Sequence, residues 1–208
     1  MGSTSLSPLR VIAYIDGFNL YWGLRDAYQR RYLWLNLEKL TLSMLRRDQQ
    51  LMVVCYFTVR TRDDPAGGAR QADYLEALSS CKQVEVHIWR YQEKNMRCHS
   101  CGHTWRSYEE ETDVAIAVNL VRDAARGSMD TALVVSGDGD LLPAMKAAKE
   151  MKPALALVAA FPPRRHSDQI RRFATADFTI NETKLRRAQF PQCVAGSTRT
   201  VHRPAHWK

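Results

Sequence analysis

Short apolar runs alternate along this chain with segments of helical periodicity, and this alternation is the strongest constraint on its fold. Residues 11–15 and 131–135 are two such runs, and both contain β-branched side chains. Runs of this kind are typical of strands that are buried on both faces of a parallel sheet. Each run leads through a glycine-containing turn into a helical pattern rather than into a hairpin. The alternation predicts an α/β fold with a doubly wound, mainly parallel sheet flanked by helices.

The remaining elements follow the same rhythm. Further strands are predicted at 51–59, 84–91, 154–160 and, at an edge of the sheet, 178–180. Helices are predicted after the first strand, at 37–47, up to about residue 80, at 114–126, up to about residue 151, and as short segments behind Ser167 and Asn181. Residues 60–68 are rich in helix breakers, which predicts a loop. The apolar stripe expected for the helix at 114–126 consists of Val114, Val118, Val121 and Ala125.

Nothing in the sequence divides the chain into several domains. We expect one domain over residues 10–190, preceded by a disordered, serine-rich stretch at 1–9. We expect residues 191–208 to form a basic, unstructured tail. Residues 92–108 interrupt the alternation, and we interpret them as a small insertion into the domain.

The composition is that of a basic protein. The 208 residues include 30 Lys and Arg against 22 Asp and Glu, a formal net charge of +8. Such a charge favours a polyanionic partner, of which nucleic acid is the commonest. No apolar run is long enough to cross a bilayer, and no secretory leader is evident, so no membrane association is expected. Five cysteines are an odd number, which without a leader favours reduced thiols and a cytoplasmic location.

Carboxylates directly follow two of the predicted strands. Asp16 ends the first strand, and Asp138 and Asp140 lie in the turn after 131–135. The carboxyl ends of the strands form the edge at which open α/β sheets bind ligands. Asp113 starts a helix and has apolar residues on its own side, so its carboxylate invites a partner, most simply a cation. All four carboxylates are therefore expected to meet at one edge of the sheet.

Each aspartate also has a purely structural interpretation. Asp138 could cap the next helix, Asp16 could belong to an ordinary Asp-Gly turn, and Asp113 would suit the positive end of a helix dipole. Clustered carboxylates, however, repel one another unless cations or protons offset their charge, and oxygen ligands favour Mg²⁺ or Mn²⁺. Such a cluster in a basic protein predicts hydrolysis of a phosphodiester, because a bound metal generates hydroxide from water near neutral pH.

Several common catalytic motifs are absent from the sequence. There is no Gly-x-x-x-x-Gly-Lys loop and no Gly-x-Gly-x-x-Gly turn, which disfavours the nucleotide and dinucleotide folds that depend on them. There is no Gly-x-Ser-x-Gly elbow either, so the hydrolase fold that carries it is not indicated.

Three segments resemble the signature blocks of NYN domains, which belong to the PIN-like nuclease superfamily. They are Ile15-Asp16-Gly17-Phe18-Asn19, Glu111-Thr112-Asp113-Val114-Ala115 and Val135-Ser136-Gly137-Asp138-Gly139-Asp140. The resemblance covers about residues 10–185 and implies a PIN-like sheet and a metal-dependent ribonuclease. It assigns binding of the catalytic metal to Asp16, Asp113, Asp138 and Asp140. It also implies that Asn19 orients Asp16 or the attacking water, and that Ser136 supports the Asp138 loop.

One position departs from the pattern of the family. Related domains often carry a further Asp one or two helical turns beyond the position of Asp113, and this chain has Asn119 in that region. A neutral amide weakens any second metal site, which leaves the number of catalytic metals open. It also motivates an alternative function, a non-catalytic RNA-binding or regulatory module. A phosphatase or a 5′-nuclease acting on DNA is a third, weaker option.

The insertion contains a Cys-x-x-Cys turn, formed by Cys98 and Cys101, with the shape of half a zinc ribbon. Structural zinc needs four ligands, and further ligands are available from His103, His99, Cys81, His87 or a second subunit. If a second subunit supplied the last ligand, zinc would link folding to formation of a homodimer. The equally favoured alternative is a polar hairpin with two unconnected thiols.

Basic residues are expected on the approach to the acidic edge. The loops after the strands at 51–59 and 154–160 begin at the carboxyl ends of those strands. The predicted RNA-binding residues in these loops are Arg60, Arg62, Arg164, Arg165 and His166. Phe18, Tyr21 and Trp22 are candidates for stacking on bases, although their helical spacing also places some of them in the core.

Overall fold

The structure is a computed structural model that describes residues 7–61, 64–89, 91–97, 100–110 and 112–207, without the side chains of 91–97 and 104–110. The strands are β1 (Leu9–Asp16), β2 (Gln49–Val59), β3 (Val84–Trp89), β4 (Tyr91–Arg97), β5 (Thr104–Glu110), β6 (Thr131–Val135), β7 (Ala156–Phe161), β8 (Ala176–Thr179), β9 (Cys193–Ala195) and β10 (Thr200–His202). The helices are α1 (Gly17–Tyr28), α2 (Leu37–Leu42), α3 (Pro65–Leu78), α4 (Thr112–Ala125), α5 (Leu142–Met151), α6 (Asp168–Phe173) and α7 (Glu182–Arg187). A 3-10 turn, Gly139–Leu141, precedes α5.

Six of these strands form one sheet, in the order β3-β2-β1-β6-β7-β8, and every neighbouring pair in it is parallel. The chain moves outwards from β1 to β3, returns across the sheet to β6 and then moves outwards in the other direction. The direction therefore reverses between β1 and β6, and their carboxyl ends form the topological switch point. The predicted α/β fold with a mainly parallel sheet is confirmed.

Helices cover both faces of the sheet because its central strands are apolar on both sides. Val11, Ala13 and Ile15 of β1 pack into one core with α1, α2 and α3. Ile12 and Tyr14 face the other core, which α4 and α5 complete. Every residue of β6 is buried, as expected for a central strand of a parallel sheet. Among the helices that the structure describes, none has the length and apolar character needed to cross a membrane.

Two helix boundaries differ from the prediction. α3 begins at Pro65, so the loop predicted for 60–68 is wrong over its second half. Asp64 caps this helix by accepting the backbone N–H of Gly67 at 2.8 Å, and proline suits the first helical turn. α2 ends at Leu42 rather than at residue 47, because the chain then tightens into short-range turns before β2.

The apolar stripe predicted for α4 is also wrong. Val114 and Val118 are 66% and 59% exposed. The buried residues are Thr112, Ala115, Ile116, Asn119, Leu120, Asp123 and Ala124. The pattern misled because two inward positions are polar: Asn119 donates to a carbonyl of its own helix, and Asp123 accepts a hydrogen bond from Tyr14 Oη at 2.9 Å. These bonds satisfy both side chains inside the core.

The C-terminal segment is folded, so the expectation of an unstructured basic tail is wrong for most of it. β9 and β10 form an antiparallel hairpin that packs against α3. Val194 and Val201 are buried, and the ring of Trp207 lies 6.2 Å from Trp34 and 5.9 Å from Tyr74. The basic composition concealed this segment because a few widely spaced apolar residues anchor it.

The two remaining predicted segments are only partly described. Residues 1–6 lie outside the described residues, and β1 already begins at Leu9, within the stretch predicted to be disordered. Residues 91–97 and 104–110 pair as the antiparallel hairpin β4–β5, outside the six-stranded sheet. The cysteines that the structure describes are all free thiols: Cys55, Cys81, Cys101 and Cys193.

Candidate functional site

The candidate site lies at the switch point, where β1 ends in Asp16 and β6 leads into Ser136. Ile15 is paired with Val135, so the residues that follow them meet at the same edge of the sheet. α1 begins at Gly17, immediately after Asp16. A Cβ atom on Gly17 would lie 2.5 Å from the carbonyl oxygen of a neighbouring strand, so only glycine fits at this position.

A chain of hydrogen bonds holds Asp16 at the end of β1. Its Oδ1 accepts the backbone N–H of Asn19 at 3.0 Å, which caps α1. Its Oδ2 accepts a hydrogen bond from Ser136 Oγ at 2.9 Å, and Ser136 Oγ accepts the backbone N–H of Asp138 at 3.0 Å. The same carboxylate therefore caps a helix and anchors a network that reaches the Asp138 turn.

Asn19 and Asp138 complete this network, which we call the switch-point network (Asp16, Asn19, Ser136 and Asp138). Asn19 Oδ1 accepts the backbone N–H of Gly137 at 2.8 Å and so ties α1 to the turn after β6. Asp138 Oδ1 accepts the backbone N–H of Asp140 at 3.0 Å, which caps the 3-10 turn. Asp138 is half-buried and Asp140 is exposed.

The charge of Asp16 is poorly compensated. The residue is 4% exposed, and none of the ion pairs among the described residues includes it. Burial raises the pKa of its carboxyl, the hydrogen bonds from Asn19 and Ser136 oppose this rise, and the charge of Asp138 adds to it. A divalent cation would offset the buried charge, and carboxylate oxygens are the donors that Mg²⁺ and Mn²⁺ prefer. The donor set thus fits a hard divalent cation.

The fourth predicted aspartate, Asp113, belongs to α4. It lies in the first turn of this helix, which contacts β1 and the 3-10 turn. Among the described residues, no three aspartates each bring a carboxylate oxygen within 4.8 Å of the other two. Asn119 is buried and bonded within its own helix, so it adds no charge to the site.

The loop after β7 lies directly against the turn after β6. A Cβ atom on Gly137 would lie 2.7 Å from the backbone nitrogen of His166 and 2.8 Å from the carbonyl carbon of Arg165. This close approach brings the predicted basic loop beside the acidic turn. Arg164 and His166 are exposed, whereas Arg165 is half-buried and forms an ion pair with Asp26 of α1.

The other predicted residues are not brought into the site by any described contact. Arg60 is exposed just beyond β2, and Arg62 lies outside the described residues. Cys98 also lies outside them, while Cys101 and His103 are exposed in the β4–β5 hairpin. The zinc site therefore stays a prediction. The role of Arg60 and Arg62 in RNA binding also stays a prediction.

A cavity of about 490 Å³ opens next to the switch-point network, between α1, α3 and the end of β2, and no local sequence pattern predicts it. Its aromatic walls are Phe18, Tyr21, Trp22, Tyr56, Tyr74 and Trp207. Arg30 also lines it, as do Arg70, which pairs with Asp64 at 3.3 Å, and Arg25, which lies over the Trp22 ring at 4.7 Å. The sequence predicts stacking positions only among the aromatic residues of α1, because the other walls come from distant parts of the chain.

Comparisons with known proteins give a family match and likenesses to individual proteins. The sequence profile of the NYN domain matches residues 10–182. A 6-hydroxy-3-succinoylpyridine 3-monooxygenase of Pseudomonas putida (strain DSM 28022 / S16) is 25% identical over 240 residues, which cover 96% of this chain and 76% of that protein. A crystal structure of a protein of unknown function from Vibrio parahaemolyticus RIMD 2210633 has a TM-score of 0.62 at 18% identity, and the match covers 88% of this chain and 98% of that one. The structural likeness concerns the fold alone.

Proposed function

We propose that this chain, which belongs to the NYN domain family, is a divalent-metal-dependent endoribonuclease that hydrolyses RNA phosphodiester bonds at the Asp16 edge. The observation that carries the proposal is the switch-point network, which links the buried, uncompensated Asp16 to the Asp138 turn through Ser136. The family belongs to the PIN-like nucleases, and the parallel sheet agrees with that placement. The net charge of +8 favours a polyanionic substrate.

The residues that would hold Mg²⁺ or Mn²⁺ are Asp16, Asp113, Asp138 and Asp140. When bound, such an ion supplies a Lewis acid for the scissile phosphate and lowers the pKa of a water. Asp16 is held in one orientation by Asn19 and Ser136, so it offers a preorganised ligand. Asp138 and Asp140 are more accessible and adjust to the substrate. Asn19 acts as a positioning residue, because its side chain holds the turn that carries Asp138.

The basic residues would guide the RNA backbone to this edge. Arg164 and His166 are exposed in the loop that packs against Gly137, so they are well placed for phosphate contacts. Arg165, which is paired with Asp26, positions that loop against α1. Arg60 and Arg62 would extend the same basic track from the end of β2.

The test is cleavage of labelled single-stranded and structured RNA by the full chain with Mg²⁺, with Mn²⁺ and with a chelator. We expect metal-dependent cleavage that falls by about 10²–10³-fold in Asp138→Asn, the range typical for loss of one preorganised charged contact. Asp168→Asn is the matched control, because Asp168 is exposed in the neighbouring α6 and outside the switch-point network.

Two results would count against the nuclease. Cleavage that needs no metal would show that the aspartates do not act as ligands of a catalytic metal. Full activity in Asp138→Asn would lead to the same conclusion. Tight RNA binding without metal-stimulated hydrolysis would favour the non-catalytic RNA-binding alternative instead. A DNA substrate of the same sequence separates a ribonuclease from a nuclease acting on DNA.

The insertion carries a separate proposal, a structural zinc ion bound by Cys98, Cys101 and His103. We expect Cys98→Ser to lower the zinc content and the melting temperature without changing which metal supports catalysis, because a closed structural site activates no water. A second subunit that supplied the fourth ligand would make the protein a homodimer. Elemental analysis that finds well under one zinc per dimer in fresh protein would contradict this.

A second candidate function, chemistry on a small aromatic molecule, is favoured by the cavity of about 490 Å³. Its aromatic walls suit stacking on a planar ring, and its arginines suit an anionic substituent. The name of the Pseudomonas relative indicates oxidation of such a molecule, a pyridine with an acidic side chain. Quenching of the fluorescence of Trp22 and Trp207 by pyridine carboxylates tests the binding step. If these ligands leave the fluorescence unchanged at millimolar concentration, this candidate is excluded.

A further inference from the structure

Three side chains with the donor atoms of a transition-metal site meet on β2 and β3, on the face covered by α4. Cys55 is paired with Glu85 in the sheet, and His87 lies two residues further along the same strand. One donor atom of each residue lies within 4.8 Å of the other two, and His87 Nε2 is 3.9 Å from Glu85 Oε2. We propose that Cys55, Glu85 and His87 bind a zinc-type divalent cation that ties the edge strand β3 to β2.

The types of donor set the kind of ion. A thiolate, an imidazole and a carboxylate suit Zn²⁺ or Co²⁺ rather than Mg²⁺, which prefers oxygen ligands only. With bonds of about 2.0–2.3 Å, neighbouring donors in a tetrahedral site lie about 3.3–3.8 Å apart. The side chain of Glu85 is 68% exposed, so it can rotate to close the remaining gap. Three protein ligands leave a fourth position for water.

His87 provides a second, independent observation. Its Nε2 is buried and has no hydrogen-bond partner among the described residues, whereas buried polar atoms normally have one. The ring of Phe57 stacks on the imidazole, with 4.8 Å between the centroids and 12° between the planes. This stacking holds the imidazole in place beside Cys55 and Glu85. A cation would satisfy the nitrogen that is otherwise left without a partner.

The surrounding charges also favour a divalent cation. Asp123 and Arg122 of α4 face the cluster, and Arg122 Nε donates to Asp123 Oδ1 at 3.0 Å. Asp123 and Arg122 compensate each other, so a Cys55 thiolate and the Glu85 carboxylate leave two negative charges for a divalent cation to neutralise. Without a cation, burial raises the pKa of the Cys55 thiol to about 12, so metal binding releases a proton to solvent. The apparent affinity therefore increases with pH.

This cluster is distinct from the acidic edge. Asp16 is paired with Phe57, and Phe57 is paired with His87, so two strand spacings separate Asp16 from His87, about 10 Å. The two sites also differ in chemistry, because one offers only carboxylates and the other a thiol and an imidazole. The proposed RNA cleavage depends on the aspartates of the acidic edge, so loss of the metal bound by Cys55, Glu85 and His87 would not remove any of its ligands.

The test uses the full chain in a background with Cys98→Ser and Cys101→Ser, which removes the predicted zinc ligands of the insertion. The probe is Co²⁺, because a thiolate ligand produces a charge-transfer band and a tetrahedral site produces strong d–d bands. We expect one thiolate-bound Co²⁺ per chain, counted from the charge-transfer band and displaced by Zn²⁺ and not by Mg²⁺; any Co²⁺ at the carboxylates of the acidic edge gives no such band. His87→Gln should weaken binding by about tenfold or more, and Cys55→Ser should abolish the charge-transfer band. Cys193→Ser, which removes an exposed free thiol, is the matched control.

Several outcomes would overturn the proposal. They are the absence of the charge-transfer band in the background protein, equal Co²⁺ affinity in His87→Gln, and zinc binding that depends on Cys98 and Cys101 alone. If Cys55→Ser fails to fold, His87→Gln and Glu85→Gln decide the question by calorimetry with Zn²⁺, since both side chains are at least partly exposed. Circular dichroism of each variant verifies the fold before metal is added.

Discussion

The carboxylates at the two ends of β1 differ in how their charge is compensated. At the amino end, Asp130 accepts hydrogen bonds from Arg10 Nη2 at 3.0 Å and from Lys152 Nζ at 2.9 Å. These two cations, Arg10 above all, hold the pKa of Asp130 far below its usual range. At the carboxyl end, the hydrogen-bond donors to Asp16 among the described residues are neutral, and burial raises the pKa of its carboxyl.

The difference separates a structural edge of the sheet from a functional one. Arg10 and Lys152 neutralise the charge of Asp130, so the amino end of β1 needs no external cation. The charge of Asp16 is buried without such neutralisation, which costs free energy in the ligand-free protein. Perturbed carboxylates of this kind concentrate at functional sites, because a ligand supplies the missing charge. The comparison therefore predicts that equivalent changes at the two ends have opposite consequences.

The largest expected effect comes from replacing each carboxylate by its amide. Asp16→Asn should lower RNA cleavage by about 10²–10³-fold, because it removes a charged contact at the reacting edge. Its melting temperature should stay close to that of the unmodified protein, since the amide oxygen still caps α1. Asp130→Asn should retain activity while the fold persists. Cleavage rates and thermal unfolding of both variants check this, and an active Asp16→Asn would contradict it.

The next effect concerns the contact that joins the basic loop to the acidic turn. Gly137→Ala places a Cβ against the backbone of the loop after β7, which should lower the free energy of unfolding by about 1–3 kcal/mol and reduce cleavage. Gly139→Ala is the matched control two residues away, because its Cβ would meet only Ser167 Oγ, at 3.4 Å. Urea unfolding measures both. Equal stability of the two variants would mean that the loop moves aside freely.

A smaller effect is expected at the structural edge. Asp130→Asn should lower the free energy of unfolding at pH 7 by about 1–2 kcal/mol, since it breaks a partly exposed charge network that solvent screens. The folded pKa of Asp130 is lowered, so its stabilisation is complete above the unfolded pKa of about 4 and is lost as the pH falls towards the folded value. Urea unfolding should show the gap between the variant and the unmodified protein narrowing below pH 4. A constant gap would indicate that charge is not its cause.

The smallest effect is the response of stability to metal. Mg²⁺ at ten times its dissociation constant should stabilise the protein by about 1.4 kcal/mol if it binds only the folded chain. The shift in melting temperature should be lost in Asp16→Asn and kept in Asp130→Asn. An equal shift in both variants would mean that Mg²⁺ acts on the protein non-specifically, and the contrast between the two ends would then be unsupported.

Local sequence patterns determined the sheet and the placement of the aspartates along the chain. The runs at 11–15 and 131–135 are apolar except for Thr131, and each is followed by glycine and helix, a combination that specifies a parallel strand within a few residues. Because parallel strands end at a common edge, Asp16 and Asp138 could be assigned to one edge without coordinates. The α4 stripe failed under the same reasoning, because Asn119 and Asp123 occupy inward positions that only neighbouring elements can satisfy.

Only the tertiary structure decided which groups touch. The bond from Ser136 to Asp16 spans 120 residues in the sequence. The burial of Asp16 and the exposure of Asp140 both depend on how the turns after β1 and β6 pack. The pairing of Cys55 with Glu85 depends on strand register, and the burial of Trp207 depends on a hairpin folding back onto α3. Periodicity records the environment within a few turns or strand residues. Register and the docking of distant segments instead depend on the free energy of the whole packed chain, which no short window of sequence contains.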